Sequence, residues 1–292
     1  MLVTGGTGQV GTALQRVRWP EGWRVVAPGR AEFDLSRPET IAAFIASRPW
    51  AAVINAAAYT AVDRAESDVI AAWRINALAP AALAAACREA GAPLIQVSTD
   101  YVFDGAKQGA WEVDDPTGPL GVYGASKLGG ELAVRTACPR HVILRTSWVV
   151  SATGINFVRT MLRLGAERES LRVVADQRGA PTSAADLAAA LAAIAVRLAD
   201  DPTAPTGVLH FSNAGATTWH GFAQAIFAGS AARGGPSGRV EPIATADYPT
   251  PARRPANSLL SHSAIERAYG VAPRPWRDAL DPILDDLIGA RP

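Results

Sequence analysis

Lysine is almost absent from this chain. Of 28 basic residues only Lys107 and Lys127 are lysines, and the rest are arginine. A position that needs only a generic positive charge is filled by arginine, so a lysine calls for a specific reason. Cysteine is as scarce. Cys87 and Cys138 are too few for a disulfide framework and read as buried thiols of a reducing compartment. Charge of one sign is also lacking: the formal net charge is +1 with charged residues at 19%. With no block of like charge, a polybasic nucleic-acid or membrane-surface protein is excluded. The longest purely apolar run, Leu187 to Val196, is well short of the roughly 20 residues that cross a bilayer. No charged start followed by an apolar stretch and a small-residue cleavage site opens the chain, so no secretory signal is read. These absences point to a cytoplasmic protein with neither nucleic acid nor membrane as partner.

What is present is a large apolar content, 49% of 292 residues, enough for one big domain or two unequal ones. Short apolar runs alternate with helical patterns. Strands are expected at Leu2–Thr4, Trp23–Ala27, Ala52–Asn55, Leu94–Ser98 and His141–Thr146, with helices at Gln9–Arg18, Glu39–Ser47, Asp68–Ala90 and Gly121–Ala137. Continuous rather than alternating apolar strands argue for a parallel sheet covered on both faces, an α/β Rossmann-type doubly wound fold. Beyond Trp148 the pattern loosens. Helices are expected at 156–167, 184–199, 218–228 and 276–288, and short strands at 171–174 and 207–212. The Pro- and Arg-rich stretch Tyr248–Pro255 cannot be regular. The division expected is a dinucleotide-binding part over 1–150, to which about 205–230 returns, and a smaller substrate-binding lobe formed mainly by 151–292. The first strand is short for a central one, which suggests a start that has lost a residue or two.

Leu2–Thr4 runs straight into Gly5-Gly6-Thr7-Gly8-Gln9-Val10-Gly11 and then a helix. Glycines at 5, 8 and 11 allow a tight turn and a close backbone approach to a pyrophosphate at a helix N-terminus. Between a first strand and a first helix, this pattern points to a dinucleotide. Arg30 follows the second run and is suited to a 2′-phosphate, so NADPH is expected, with NADH as the alternative. Asp34 and Leu35 fall where the adenine would lie. Ala56, Ala57, Ala58, Tyr59 and Thr60 follow the third strand, where small residues let a cofactor lie close to the backbone. Val97, near the end of the fourth, completes the cofactor set. Tyr123 and Lys127 are spaced i, i+4 and share a helix face. A free tyrosine, with a pKa of about 10, is a poor acid–base near neutrality, and a nearby ammonium lowers that value. Lysine can also reach ribose hydroxyls. Thr99 can donate to a carbonyl oxygen on which negative charge grows. Successive strand residues point to opposite faces, so only one of Ser98 and Thr99 faces the substrate. The four histidines share no metal-ligand spacing.

Thr4–Gly11, Asn55–Ala58 and the Tyr123–Lys127 pair together resemble the extended short-chain dehydrogenase/reductases. Ser98–Phe103, Arg145–Val149, Gly179–Thr182, Thr217–His220 and Tyr248–Pro255 narrow the resemblance to the dTDP-4-dehydrorhamnose reductase family, from residue 2 to about 260. The resemblance implies reduction of dTDP-4-dehydro-L-rhamnose by a nicotinamide cofactor. Tyr123 would be the proton donor, Lys127 its partner and Thr99 the carbonyl anchor. It further implies that Thr99, Asp100, Tyr123 and Trp148 bind the sugar nucleotide, with Arg253, Arg254 and Asn257 in its outer wall. Some relatives hold magnesium between subunits through an acid in the first helix. Here that helix reads Thr12-Ala13-Leu14, so no metal is expected, and the chain is a monomer or a homodimer. Val149-Val150-Ser151 stands where the family often has an aromatic residue and a glycine. The competing readings are a reductase of another nucleotide-linked 4-keto-6-deoxysugar, an epimerase that returns the hydride, and a non-catalytic dinucleotide-binding regulatory subunit.

Overall fold

The computed structural model describes residues 1–290. Its longer strands are β1 (Leu2–Thr4), β2 (Val53–Asn55), β3 (Leu94–Thr99), β4 (His141–Thr146), β5 (Ser170–Val174), β6 (Gly207–His210) and β7 (Arg239–Ile243). Its longer helices are α1 (Gln9–Arg16), α2 (Ile41–Ala46), α3 (Val69–Glu89), α4 (Val122–Ala137), α5 (Phe157–Glu167), α6 (Ala184–Asp200), α7 (Trp219–Ala231), α8 (Ser263–Tyr269) and α9 (Trp276–Ile288). The main sheet runs β1–β2–β3–β4–β6, every pair parallel. Residues of β1, β2 and β4 are buried throughout, which is why Leu2-Val3, Val53-Ile54 and Val142-Ile143-Leu144 are apolar without alternation. Leu14, Leu187, Leu191, Ile194 and Ile265 from α1, α6 and α8 cover one face. Ile41, Ile45, Leu83, Cys87 and Val134 from α2, α3 and α4 cover the other. A separate core joins α5, α7 and α9 to β5 through Val158, Met161, Phe222, Ile226, Leu280 and Leu171.

The second expected strand is reduced to one bridge. Val26 donates to Met1 O and accepts from Val3 N, both at 2.9 Å, on the free edge of β1. Trp23 does not enter the ladder; it turns back to Pro20 O and stacks on Trp19 at 5.4 Å. Counting that bridge, β1 has its sequence successor on one side and β2 on the other. Such a reversal of winding opens a crevice at the carboxyl ends of the strands. Two of the longer segments were not expected. Arg239–Ile243 pairs in parallel with β5 despite Pro242, which an edge position tolerates. Ser263–Tyr269 forms a short helix ended by Gly270 at φ 66°.

Helix α3 is long and apolar enough to cross a membrane by length and composition, and 44% of that window is buried inside the fold. Pro80 sits within it and has no N–H for the carbonyl of Asn76, and the preceding turn widens into a π turn at Arg74–Leu78. Helix α4 packs directly onto that carbonyl. A Cβ at Gly130 would lie 2.1 Å from Asn76 O. This close pairing places α4, with Tyr123 and Lys127, at the edge of the crevice.

Candidate active site

A cleft of about 720 Å³ opens where the sheet reverses its winding, within the range of small-molecule sites. The glycine-rich turn forms its floor. Gly5 has φ 70°, and a Cβ there would lie 2.9 Å from Ala57 N and Cα, so the turn and the Ala56–Ala58 segment cross at backbone distance. A Cβ at Gly11 would lie 2.1 Å from Gly5 O, so α1 can begin this close to the turn only with glycine. No side chain caps α1 at Gly8, which leaves its first N–H groups facing the cleft, an arrangement that favours anions. Thr4, Asn55 and Gln96 form a buried polar row across β1, β2 and β3. The Thr4 hydroxyl donates to Asn55 Oδ1, and Asn55 Nδ2 donates to Gln96 Oε1 at 2.7 Å. From β1 this row also fixes Ala57, whose N–H donates to Thr4 Oγ1 at 3.3 Å.

Thr99, Tyr123 and Lys127 meet in this cleft. Ser98 and Thr99 divide as strand alternation requires. The Ser98 hydroxyl donates to Glu131 at 2.5 Å, while the Thr99 hydroxyl donates to Asp100 Oδ1 at 3.0 Å. Tyr123 meets Tyr101 edge-on at 5.4 Å. Burial pushes the Tyr123 phenol up to about 12, while its hydrogen bond with Thr99 pulls the other way. The expected lowering by Lys127 is not seen: the ammonium donates to Val97 O at 2.7 Å, and burial brings Lys127 down to about 8. Burial also lifts Asp100 to about 6. Asp100 Oδ2 and Thr146 Oγ1 are buried without a hydrogen-bond partner, and both residues line the cleft.

Gly5, Thr7, Gly8, Gln9, Val10, Arg30, Asp34, Leu35, Ala56, Ala57, Ala58, Thr60, Val97, Asp100 and Trp148 line the same cleft. Several expected residues do not. Gly11 lies beneath the turn, where its role is packing. Tyr59 is turned aside: its backbone is gripped by the Asn76 amide at 2.8 and 3.1 Å, and its hydroxyl donates to Asp68 at 3.0 Å. Asp34 lines the cleft, but its carboxylate accepts from the Ser36 amide and hydroxyl, which holds it below the usual carboxylate range. Arg253 is exposed, outside the lining. Arg254 pairs with Asp63 at 2.8 Å, and Asn257 spends its amide on Lys107 O and Gly109 O at 2.9 and 2.6 Å. These two fasten the 248–258 strap rather than face the cleft. Thr146, Ser147, Tyr101, Gly154 and Ile155 are lining residues that sequence reasoning missed. Thr146 ends β4 and Ser147 follows it, and the carboxyl-end rule for parallel sheets would have found them.

Trp148 has φ 48°, a left-handed backbone that a bulky residue rarely adopts. Its indole stacks on Trp219 with centroids 3.6 Å apart and lies where a Cβ on Gly179 would intrude at 2.5 Å. Ser151 Oγ and Asn156 Nδ2 both donate to Gln9 Oε1, at 2.9 and 3.0 Å, latching the loop after Val150 onto the glycine-rich turn.

Comparison with known proteins agrees with this geometry. The family model described as the RmlD substrate binding domain matches residues 1–288. A dTDP-4-dehydrorhamnose reductase of Burkholderia thailandensis is 48% identical over 295 residues, covering 99% of each chain. This chain belongs to the dTDP-4-dehydrorhamnose reductase family. Among solved structures, the reductase of Clostridium acetobutylicum superposes with a TM-score of 0.90 at 35% identity, over 97% of this chain and 98% of that one. The Bacillus anthracis reductase, solved in complex with NADP, has a TM-score of 0.88 at 34% identity, over 97% of both chains. As a reductase of this family the chain keeps Thr99, Tyr123 and Lys127 together, and it latches its cleft loop with Ser151.

Proposed function

We propose that this reductase converts dTDP-4-dehydro-L-rhamnose to dTDP-L-rhamnose with NADPH. The observation that carries the reading is the convergence of Thr99, Tyr123 and Lys127 on one cleft floored by a glycine-rich turn. The residues fit a dinucleotide. The cradle at Gly5 and Gly11 has no room for a Cβ, the α1 N-terminus is uncapped, and Arg30 stands at the mouth where a 2′-phosphate would lie. Lys127 would hold the ribose and Gly8–Val10 the pyrophosphate. NADPH supplies the hydride to the substrate C4 when bound. The main sheet carries the cofactor half of the site, and the third core, with Trp148 and Trp219 above it, carries the sugar nucleotide.

The side chains then divide the proton work. Tyr123 is a phenol at neutral pH, the form that a reduction requires, and it donates its Oη proton to the C4 oxygen as charge develops there. Thr99 Oγ1 hydrogen-bonds the same oxygen and can turn from Asp100 to do so. Lys127, which donates to Val97 O, would have to turn one of its remaining hydrogens toward Tyr123 to stabilise the tyrosinate that remains until solvent reprotonates it. Asp100 Oδ2 and Thr146 Oγ1, with no partner in the protein, are suited to substrate hydroxyls. A regulatory subunit would not need all three catalytic side chains. An epimerase would retain NAD and show no net consumption of NADPH. The test is NADPH oxidation by purified protein with dTDP-4-dehydro-L-rhamnose, against a panel of other nucleotide-linked 4-keto-6-deoxysugars. Turnover on the first substrate supports the reading; preference for another sugar, or no turnover by folded protein, refutes it.

A further inference from the structure

Beneath the catalytic helix face lies a buried ion pair that the proposed reaction does not use. Glu131 follows Lys127 by four residues on α4, so the two side chains share a face. Both are buried, Lys127 at 4% exposure and Glu131 at 1%. Yet the carboxylate does not bind the ammonium. Glu131 Oε1 accepts from Ser98 Oγ at 2.5 Å and from Arg145 Nε at 2.9 Å, and Oε2 accepts from Arg145 Nη2 at 2.7 Å. Arg145, on β4, is itself 3% exposed and is held further by Val113 O at 3.4 Å. Three donors from two strands thus fix the carboxylate on the sheet side of Lys127. The ammonium gives one hydrogen to Val97 O and keeps two.

We infer that Glu131 is a positioning residue: clamped by Arg145 and Ser98, its carboxylate keeps the buried Lys127 ammonium charged while leaving it free to turn into the cleft. The inference rests on the reading of Lys127 as the partner of Tyr123. A buried amine tends to lose its proton, and an uncharged Lys127 could not stabilise a tyrosinate. Glu131 is the charged group that acts on it; Tyr123, Asp100 and Tyr101 line the same cleft, Arg145 from β4 holds Glu131, and His210 from β6 lies beyond the arginine at 3.4 Å. His210 is driven down to about 3 by burial and by Arg145, so it stays neutral. Asp100, lifted by burial, carries its full charge only above about 6. Glu131 is the group whose charge raises Lys127 against the burial that lowers it. Were the carboxylate not clamped, it could swing onto the ammonium and occupy the donors that the cleft needs.

The chain's two lysines make a direct test practical. Intact protein labelled with ¹³C at lysine Cε gives two side-chain signals, assigned with Lys107→Arg. In the native protein the Lys127 signal should titrate near 8. In Glu131→Gln, which keeps an acceptor for Ser98, the midpoint should fall by about one pH unit. Activity lost as pH rises through the Lys127 midpoint should then be lost about one unit earlier. Glu131→Gln leaves Arg145 buried and unpaired, so Glu131→Gln/Arg145→Met is made beside it and should show a lowered midpoint too. An unchanged midpoint in a folded variant overturns the inference, as does failure of both variants to fold, which would make the pair purely structural. Undiminished turnover by Tyr123→Phe would overturn the reading of the site instead, and would leave the lysine titration as it is.

Discussion

Replacing Gly11 by alanine tests the architecture of the glycine-rich turn. The added Cβ would lie 2.1 Å from Gly5 O and 2.7 Å from Gly5 C and Gly6 Cα. All three are backbone atoms, so no side chain can swing away. An ordinary contact begins near 3.4 Å, so α1 and the turn must separate by 3.4 − 2.1, about 1.3 Å. Overpacking of this kind costs about 1–3 kcal/mol, and each kcal/mol lowers Tm by about 2–4 °C in a chain somewhat smaller than this one. The uncapped N–H groups move with the helix, so NADPH affinity should fall by at least about tenfold, equivalent to roughly 1.4 kcal/mol. Thermal melting with and without NADPH, and a fluorescence titration of NADPH, read the two effects separately. Gly29→Ala is the control for melting, because a Cβ there meets nothing within 4 Å. If Gly11→Ala melts and binds like the native protein, the close-approach argument is wrong.

Three further outcomes are expected. Tyr123→Phe removes one hydroxyl and should lower kcat by about 10²–10⁴-fold with the melting curve and NADPH Kd little changed; near-native turnover would remove Tyr123 as proton donor. Asp100 is lifted to about 6 in the folded state from an ordinary 3.8, so the native protein binds more protons than the unfolded chain in that window, and stability from this group is present below 3.8 and lost as pH rises through 6. Asp100→Asn should therefore raise Tm at pH 7.5 by about 1–3 kcal/mol equivalent, discounted for new contacts, while impairing turnover; an Asn variant that is no more stable at that pH contradicts the burial argument. Arg30→Ala should reduce the preference of kcat/KM for NADPH over NADH by about tenfold, and an unchanged ratio would show that the 2′-phosphate is held elsewhere.

The parallel sheet and the residues that line the cleft together, Thr99, Tyr123 and Lys127, were legible because their signals are local. Leu2-Val3, Val53-Ile54, Leu94-Ile95 and Val142-Ile143-Leu144 are apolar on successive residues and so on both faces, and Gly5–Gly11 and Tyr123–Lys127 are each short stretches of chain. Val26 was overread because Val25-Val26-Ala27 has strand composition, whereas the stacked Trp19 and Trp23 turn the preceding residues out of the sheet. Arg239–Ile243 was underread because Pro242 argues against a strand, and only pairing with β5 at the molecule's edge makes it one. Long-range fastening left no local trace. Asn257 holds the loop at Lys107 and Gly109, and from sequence its place in the strap made it a substrate ligand. The Glu131–Arg145 pair joins α4 to β4 behind the site, and neither residue type announces a buried partner.

The two indoles at the cleft have an optical consequence. Chromophores stacked 3.6 Å apart at 15° couple their transitions, and one of this pair, Trp148, forms part of the cleft wall on a left-handed backbone. A sugar nucleotide that shifts Trp148 by a fraction of an ångström should change the near-ultraviolet circular dichroism, where Trp19 and Trp23, stacked at 5.4 Å beneath the sheet's edge, give a constant background. Occupancy of the substrate half would then be readable without label or turnover, and Trp219→Phe would silence the signal while leaving the cleft wall in place.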